Sequence, residues 1–196
     1  MHTLKCAAVL RIAISILAGA GPLGFAEAAG PWKGQIVDAE TSRPLEGVVV
    51  LAVWTKYTSS LGGAAAPRYD ASEEVVTGAD GRFVIQAQSP FTLNPFSKIS
   101  GPEFTMFKPG YGQWRFQGSK DWPRDAYDRK AKGKEAWRQF TNEGAVIEVP
   151  TLRTREERMR FLHVVDWSPL VPWEKTKLIR EAVNMERAYL GLERPR

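Results

Sequence analysis

The sequence predicts a mainly β protein: a seven-stranded antiparallel β-sandwich with long loop insertions, followed by a C-terminal α-helical hairpin. Two stretches carry the β part of this prediction. Within residues 34–54, two runs rich in β-branched side chains flank a polar turn that contains Arg43-Pro44-Leu45. Further along, Asp80-Gly81 separates the β-rich runs 73–77 and 83–85, which is the pattern of a β-hairpin turn.

Six segments have the composition of strands, since each is a short β-branched or aromatic run ended by Gly, Pro, Asp or Asn. They are residues 32–38, 48–55, 73–77, 83–88, 104–108 and 145–152, and a seventh strand is expected near 112–116. The run VVVLAVW at 48–54 is continuously apolar, which is typical of a central strand covered on both faces. Periodicity alone would also allow a helix here, but three consecutive valines after Gly47 favour a strand.

The pattern becomes helical after residue 153. The sequence TREE at 154–157 matches a capping box, which predicts a helix over 155–165 that Pro169 and Pro172 end. A second helix is expected over about 173–190. The apolar residues that we place on one stripe of it are Leu178, Ala182, Met185, Tyr189 and Leu192.

Residues 1–28 have the features of an export signal. Lys5 and Arg11 supply positive charge, residues 13–19 form an apolar core, and AEA at 26–28 fits a small-x-small cleavage site. The uncharged run is shorter than the ~20 residues of a membrane span. We therefore expect cleavage after residue 28, no stable transmembrane anchor and a periplasmic or secreted product. Alanine stands at position 20, where a lipoprotein signal would have cysteine, so no lipid anchor is expected.

The residue types left after such cleavage exclude several kinds of chemistry. The one cysteine is Cys6, and the one histidine beyond residue 28 is His163, so disulfides, thiol nucleophiles and clustered zinc ligands are not expected. No hydrolase, metalloprotease, P-loop or dinucleotide-binding motif occurs in the sequence. The sequence therefore predicts a non-enzymatic protein with no metal and no cofactor. A hydrolase with a site around His163 is one enzymatic alternative, and paired-carboxylate glycoside hydrolysis also stays open, although no residue spacing supports it.

The segment 113–142 is a basic insert with many aromatic residues. Between residues 115 and 140 there are eight Lys or Arg residues and four acidic residues, a local net charge of +4. Tryptophan faces can stack on sugar rings, and exposed aromatics beside arginine are typical of interaction surfaces. The alternative is that these rings fold the insert back onto the sandwich. The candidate binding residues are Trp114, Trp122, Trp137, Tyr111 and Arg115.

Four motifs resemble the carboxypeptidase regulatory-like domain family: GQIVD at 34–38, RPLEGVVV at 43–50, TGADGRF at 77–83 and KPGY at 108–111. The resemblance covers about residues 32–112, with Ser42 where the family commonly has glycine. It implies a transthyretin-like sandwich, similar to starch-binding-like folds, that serves as an accessory domain without catalytic residues of its own. The related hydrolases of this fold use several histidines, which this chain lacks beyond residue 28.

The predicted organisation is therefore a signal peptide at 1–28, a sandwich domain at 29–152 with the insert at 113–142, and a helical hairpin at 153–196. The leading hypothesis for function is an exported, non-enzymatic interaction module of a Gram-negative envelope, with an envelope protein or polysaccharide as partner. The alternative is a carbohydrate-binding protein whose loop tryptophans act as stacking platforms. Nucleic acid is not an expected partner, because an exported protein with a local excess of +4 in its basic insert has neither the compartment nor the charge density for it.

Overall fold

A computed structural model describes residues 30–59, 66–88, 94, 96–118, 140 and 144–193. The predicted signal peptide and most of the basic insert lie outside these residues. The described chain is mainly β, with two sheets and two helices, as predicted. Its strands are β1 Trp32–Asp38, β2 Val49–Thr58, β3 Pro67–Val76, β4 Arg82–Ile85, β5 Ser97–Ile99, β6 Glu103–Phe107, β7 Arg115–Phe116 and β8 Ala145–Val149. The helices are α1 Arg155–Val164 and α2 Lys177–Tyr189, with a short 3-10 turn at Trp173–Lys175 between them.

The two sheets differ in detail from the predicted seven antiparallel strands. Sheet A has the order β4-β1-β8-β7, and sheet B has β3-β2-β5 with β6 also paired to β2. The described residues therefore form eight strands, and β1 and β8 run parallel, with Ile36 opposite Ile147. The parallel pair joins segments more than a hundred residues apart, and no local pattern in the sequence reports such a pairing. The extra strand, β5, has three residues and lies in a proline-rich stretch for which no strand was predicted.

The turn at Asp80-Gly81 is present, but the predicted hairpin around it is wrong. The strand before the turn, β3, belongs to sheet B, while the strand after it, β4, belongs to sheet A. The chain crosses from sheet B to sheet A at Gly81. There the Gly81 carbonyl accepts a hydrogen bond from the N–H of Ile36 in β1 at 2.8 Å. Gly81 has φ +70°, and a Cβ there would lie 2.4 Å from the Ile36 carbonyl oxygen. Only glycine can make this close approach to β1.

The main core lies between the two sheets, and a second apolar cluster lies outside sheet B. Strand β2 contributes to both, because successive side chains of a strand point to opposite faces. One face of β2, with Val50, Ala52 and Trp54, packs against the residues of sheet A. The other face, with Val49, Leu51 and Val53, packs against the helical layer. The prediction that this strand is covered on both faces is confirmed.

Polar contacts hold the helical layer in place. The predicted capping box is present, with the hydroxyl of Thr154 accepting from the N–H of Glu157 and the Glu157 side chain accepting from the Thr154 N–H. At the start of α2, the carboxylate of Glu74 in β3 accepts hydrogen bonds from the N–H groups of Leu178 and Ile179, each at 2.9 Å. A carboxylate at a helix N-terminus satisfies amides that have no partner within the helix. The helix is thereby attached to sheet B.

The buried stripe of α2 matches the prediction only in part: Ala182 is buried, and Leu178 packs partly buried against the cluster outside sheet B. The buried residues are Ile179, Ala182 and Glu186, while Met185 and Tyr189 are 65% and 70% exposed. The predicted stripe left out Glu186, whose side chain is buried and forms an ion pair with Arg158 of α1. A polar residue on the buried face is invisible to a pattern that counts only apolar residues.

The partner of Glu186 is Arg158 of α1. The Arg158 guanidinium donates through Nε to Glu186 Oε1 at 2.7 Å and through Nη2 to Glu186 Oε2 at 2.5 Å. The N–H of Gly110 also donates to Glu186 Oε2, at 3.0 Å. The Tyr189 ring lies 3.6 Å from the Arg158 guanidinium carbon. The hydrogen bonds to Glu186 raise the pKa of Arg158. This ion pair joins both helices to the turn after β6.

We expect Arg158→Met to lower the free energy of unfolding by about 3–5 kcal/mol, because it leaves the buried Glu186 carboxylate without its partner charge. Urea unfolding followed by circular dichroism measures this loss. The double variant Arg158→Met/Glu186→Leu should recover most of it. The matched control is Arg153→Met, which breaks the exposed pair with Glu40 (2.6 Å) and should cost much less. Equal losses for Arg158→Met and Arg153→Met would contradict this account.

A second buried acid, Asp38, orders the turn after β1. Its Oδ1 accepts from the N–H groups of Glu40 and Thr41 at 2.9 and 2.8 Å, and its Oδ2 accepts from the Thr151 hydroxyl at 2.9 Å. Burial by itself would raise the pKa of this carboxyl, but the hydrogen bonds from Thr41, Thr151 and Glu40 outweigh burial and lower the pKa. The charged form therefore stabilises the fold.

A lowered folded-state pKa means that the stabilisation by Asp38 is present above the unfolded-state pKa of about 3.9 and is lost as the pH falls through the folded-state value. We expect Asp38→Asn to reduce the difference in unfolding free energy between pH 7 and pH 3. Urea titrations at the two pH values measure that difference. Asp70→Asn, which changes an exposed residue of β3, is the control and should keep the wild-type difference. An unchanged pH dependence in Asp38→Asn would refute the assignment.

Candidate functional site

Trp114 was predicted as a binding residue, and it lies in the core. It is 8% exposed and belongs to the cluster between the sheets, where its ring meets the ring of Phe116 edge-on at 5.5 Å. Trp122 and Trp137 lie outside the described residues, so their predicted role stays a prediction. A ring buried as Trp114 is contributes to packing and offers little surface to a ligand.

The other two predicted binding residues have contacts within the β layer. Tyr111 is half-buried, forms an isolated bridge with Thr151 and has the Lys108 ammonium 5.9 Å from its ring centre. Arg115 of β7 donates through Nε to Glu148 of β8 at 3.1 Å, which is a cross-strand ion pair. Tyr111 and Arg115 therefore help to hold β7 and the turn before it against the end of sheet A.

The candidate site is a cleft of ≈ 360 Å³ beside sheet B. We call it the β6 cleft. One wall is formed by Glu103, Phe104 and Thr105 of β6, the other by the segment that follows α1, and Val53 of β2 also lines it. The residues of that second wall are Asp166, Trp167, Ser168 and Pro169. Its volume lies within the range of about 300–1,000 Å³ that is typical of ligand pockets.

The cleft forms where strand β2 changes its neighbour. Residues Val49–Val53 of β2 pair with β6, and residues Lys56–Thr58 pair with β5. Between these two pairings, the register against β3 also shifts at Trp54/Thr55. The connection from β5 to β6 contains Pro102, which has no N–H to donate. Strand pairing along this edge of β2 is therefore interrupted between β6 and β5. The start of β6 forms one side of the opening that results.

The segment after α1 covers this opening because of where the helix ends. Val165 is extended, with φ −68° and ψ 116°, and directs the chain across β6. The hydroxyl of Thr105 donates to the Asp166 carbonyl at 3.3 Å, and the Asp166 carboxylate accepts from the N–H of Trp167 at 2.8 Å. Trp167 itself packs partly buried against the cluster outside sheet B. The wall after α1 thus packs on the cluster outside sheet B, and the β6 wall packs through Phe104 on the core between the sheets.

The cleft combines the Trp167 side chain with two carboxylates and two hydroxyl groups. The ring of Phe104 lies on the opposite face of sheet B, stacked on Phe140 at 5.0 Å. Glu103 and Asp166 are exposed, and neither forms an ion pair with any other residue that the structure describes. No lysine or arginine is among the residues that line it. Such a lining can hold a ligand by ring stacking and by accepting hydrogen bonds.

The histidine considered for catalysis lies elsewhere. His163 is exposed on the last turn of α1 and does not line the β6 cleft. Across the described ranges, no group of three or more His, Cys, Asp or Glu side chains is placed to hold a metal ion.

Sequence reasoning missed every residue of this cleft. Its two walls are about sixty residues apart in the chain, and neither carries a motif. One signal was available: Asp166-Trp167-Ser168-Pro169 places a large aromatic residue in a short polar connection between two helices. A tryptophan in such a connection has to be accounted for by burial or by binding.

We expect Trp114→Ala to lower the unfolding free energy by about 3–5 kcal/mol, because it removes a large buried ring. Chemical denaturation measures the loss. The control is Trp173→Ala, which removes a ring that is 61% exposed and stacked under Arg180 at 3.4 Å; it should cost about 1 kcal/mol or less. If Trp114→Ala were as stable as the control, Trp114 would not be the core residue described above.

Comparison with known proteins adds no relative. No protein-family model, curated protein or solved structure matches this chain. The resemblance of residues 32–112 to carboxypeptidase regulatory-like domains therefore stays a prediction from sequence motifs. Within the described residues, neither helix has the length and apolar character that crossing a membrane requires.

Proposed function

We propose that the protein is an exported, non-enzymatic binding module of the bacterial cell envelope, and that the β6 cleft is its binding site. The observation that carries this proposal is the lining of the cleft. The Trp167 side chain stands beside two exposed carboxylates, Glu103 and Asp166, in a space of ≈ 360 Å³. Pockets that combine apolar rings with a few polar groups are typical of ligand recognition.

Three further observations support the proposal. The pattern of residues 1–28 favours export. The motifs between residues 32 and 112 resemble an accessory sandwich family without catalytic residues of its own, and its transthyretin-like topology is part of what we propose. The walls of the cleft are also held by the fold, through the Thr105 hydrogen bond to Asp166 and the packing of Trp167. A preorganised wall loses little freedom when a ligand binds.

A second candidate function is carbohydrate binding. It is favoured by the position of Trp167 in the cleft, because aromatic faces stack on sugar rings while carboxylates and hydroxyls bond to sugar hydroxyl groups. In this version Trp167 serves as the stacking platform, a role that we first expected of the tryptophans in the basic insert. The two candidates differ in the chemistry of the partner and share the site.

The test is capture from an envelope extract of the host, run on intact and on protease-treated extract. We expect the immobilised protein to retain a component that Trp167→Ala retains at least about tenfold less, because the variant loses one wall of the cleft. Loss of the component after protease treatment would identify a protein partner, and its survival would identify a polysaccharide.

The matched control is Trp173→Ala, which removes an exposed tryptophan that does not line the cleft. Thermal unfolding of both variants establishes that they are folded. Equal capture by Trp167→Ala and Trp173→Ala would show that the β6 cleft is not the binding site.

A further inference from the structure

The charge of the β6 cleft is opposite to that of the protein as a whole. The chain has a formal net charge of +5, yet the ionisable side chains that line the cleft are two carboxylates, Glu103 and Asp166. Neither is compensated by a basic partner among the described residues. An anionic ligand would meet repulsion here from both groups.

The tryptophan of the cleft fits the same kind of ligand that its charge favours. An ammonium or guanidinium group is attracted to the face of a tryptophan as well as to carboxylates. Methylene groups next to such a cation can pack against Trp167 while the charged end stays near water. A neutral ligand would use the ring but would leave both negative charges without a counter-charge.

From these two observations, and on the basis of the binding function proposed above, we propose that the β6 cleft binds an organic cation: a primary ammonium or guanidinium group on an aliphatic chain. Glu103 and Asp166 provide the counter-charges, and Trp167 contacts the chain. Two sources share this chemistry, a free aliphatic amine and the side chain of a lysine or arginine in a partner polypeptide.

The test is a titration of the ¹⁵N-labelled full protein, followed by the resonances of the Trp167 indole and of the amides of residues 103–105. The cationic probes are 1,4-diaminobutane and two amino acids that are capped at both backbone ends, Nα-acetyl-lysine amide and Nα-acetyl-arginine amide. The neutral probes are 1,4-butanediol, which matches the diamine in length, and maltotriose. We expect the cationic probes to shift these resonances saturably and butanediol to leave them in place.

The variant pair decides the role of charge. Glu103→Gln/Asp166→Asn should weaken cation binding about tenfold or more, since it removes both counter-charges. The control Glu46→Gln/Asp70→Asn changes the net charge by the same amount at two exposed positions outside the cleft, and it should bind as the wild type does. Added salt should weaken binding to the wild type.

The outcomes separate the two sources and the two proposals. Binding of the diamine alone supports a free amine as ligand, and binding of a capped amino acid supports a polypeptide side chain. Three results would overturn the cation proposal: binding that survives in Glu103→Gln/Asp166→Asn, equal shifts with diamine and butanediol, or shifts with maltotriose alone.

The capture experiment separates the cation proposal from the binding function. If no probe shifts the resonances of the cleft while Trp167→Ala still loses capture, the cation proposal fails and the binding function stands. If capture is also unaffected, both fail.

Discussion

The structure depends on the need to cover strand β2 on both faces. Its apolar run from Val49 to Trp54 is buried throughout, and an apolar surface of this kind is stable only when water is excluded from both sides. Sheet A covers one face, with residues such as Ile36 and Ile147. The opposite face of sheet B would be open to water without the helices, whose residues Ile179 and Ala182 cover it. Covering both faces of this one strand therefore gives the fold three layers: sheet A, sheet B and the helices.

Features that depend on neighbours in the chain could be predicted from the sequence. The central position of β2, the capping box at Thr154 and the turn at Gly81 all rest on patterns within a few residues. Features that depend on distant residues could not. The parallel pairing of β1 with β8, the crossing from sheet B to sheet A after Gly81 and the inward turn of Glu186 each need a partner from another part of the chain. The helical stripe was predicted only in part for this last reason.

The candidate site was outside the reach of the sequence for a related cause. A tryptophan in a basic stretch looks the same whether it is buried, as Trp114 is, or exposed, because tertiary packing decides its surroundings. The β6 cleft arises from an interrupted strand pairing and from the direction in which the chain leaves α1. Neither property has a residue pattern of its own. The chemistry of Glu103 and Asp166 becomes informative only once the fold places them beside Trp167.

The position of the helical layer at the end of the described chain has a consequence for the order of folding. Both sheets can be completed by residues up to Val149, whereas the cover of sheet B's outer face comes from residues after Arg155. A chain that emerges from its N-terminus onwards therefore has a period in which Val49, Leu51 and Val53 form an apolar strip with nothing over it. Such transient strips favour aggregation. Rapid docking of α2, guided by Glu74 at its first turn, would shorten that exposure, so the polar contacts of this helix bear on yield as well as on stability.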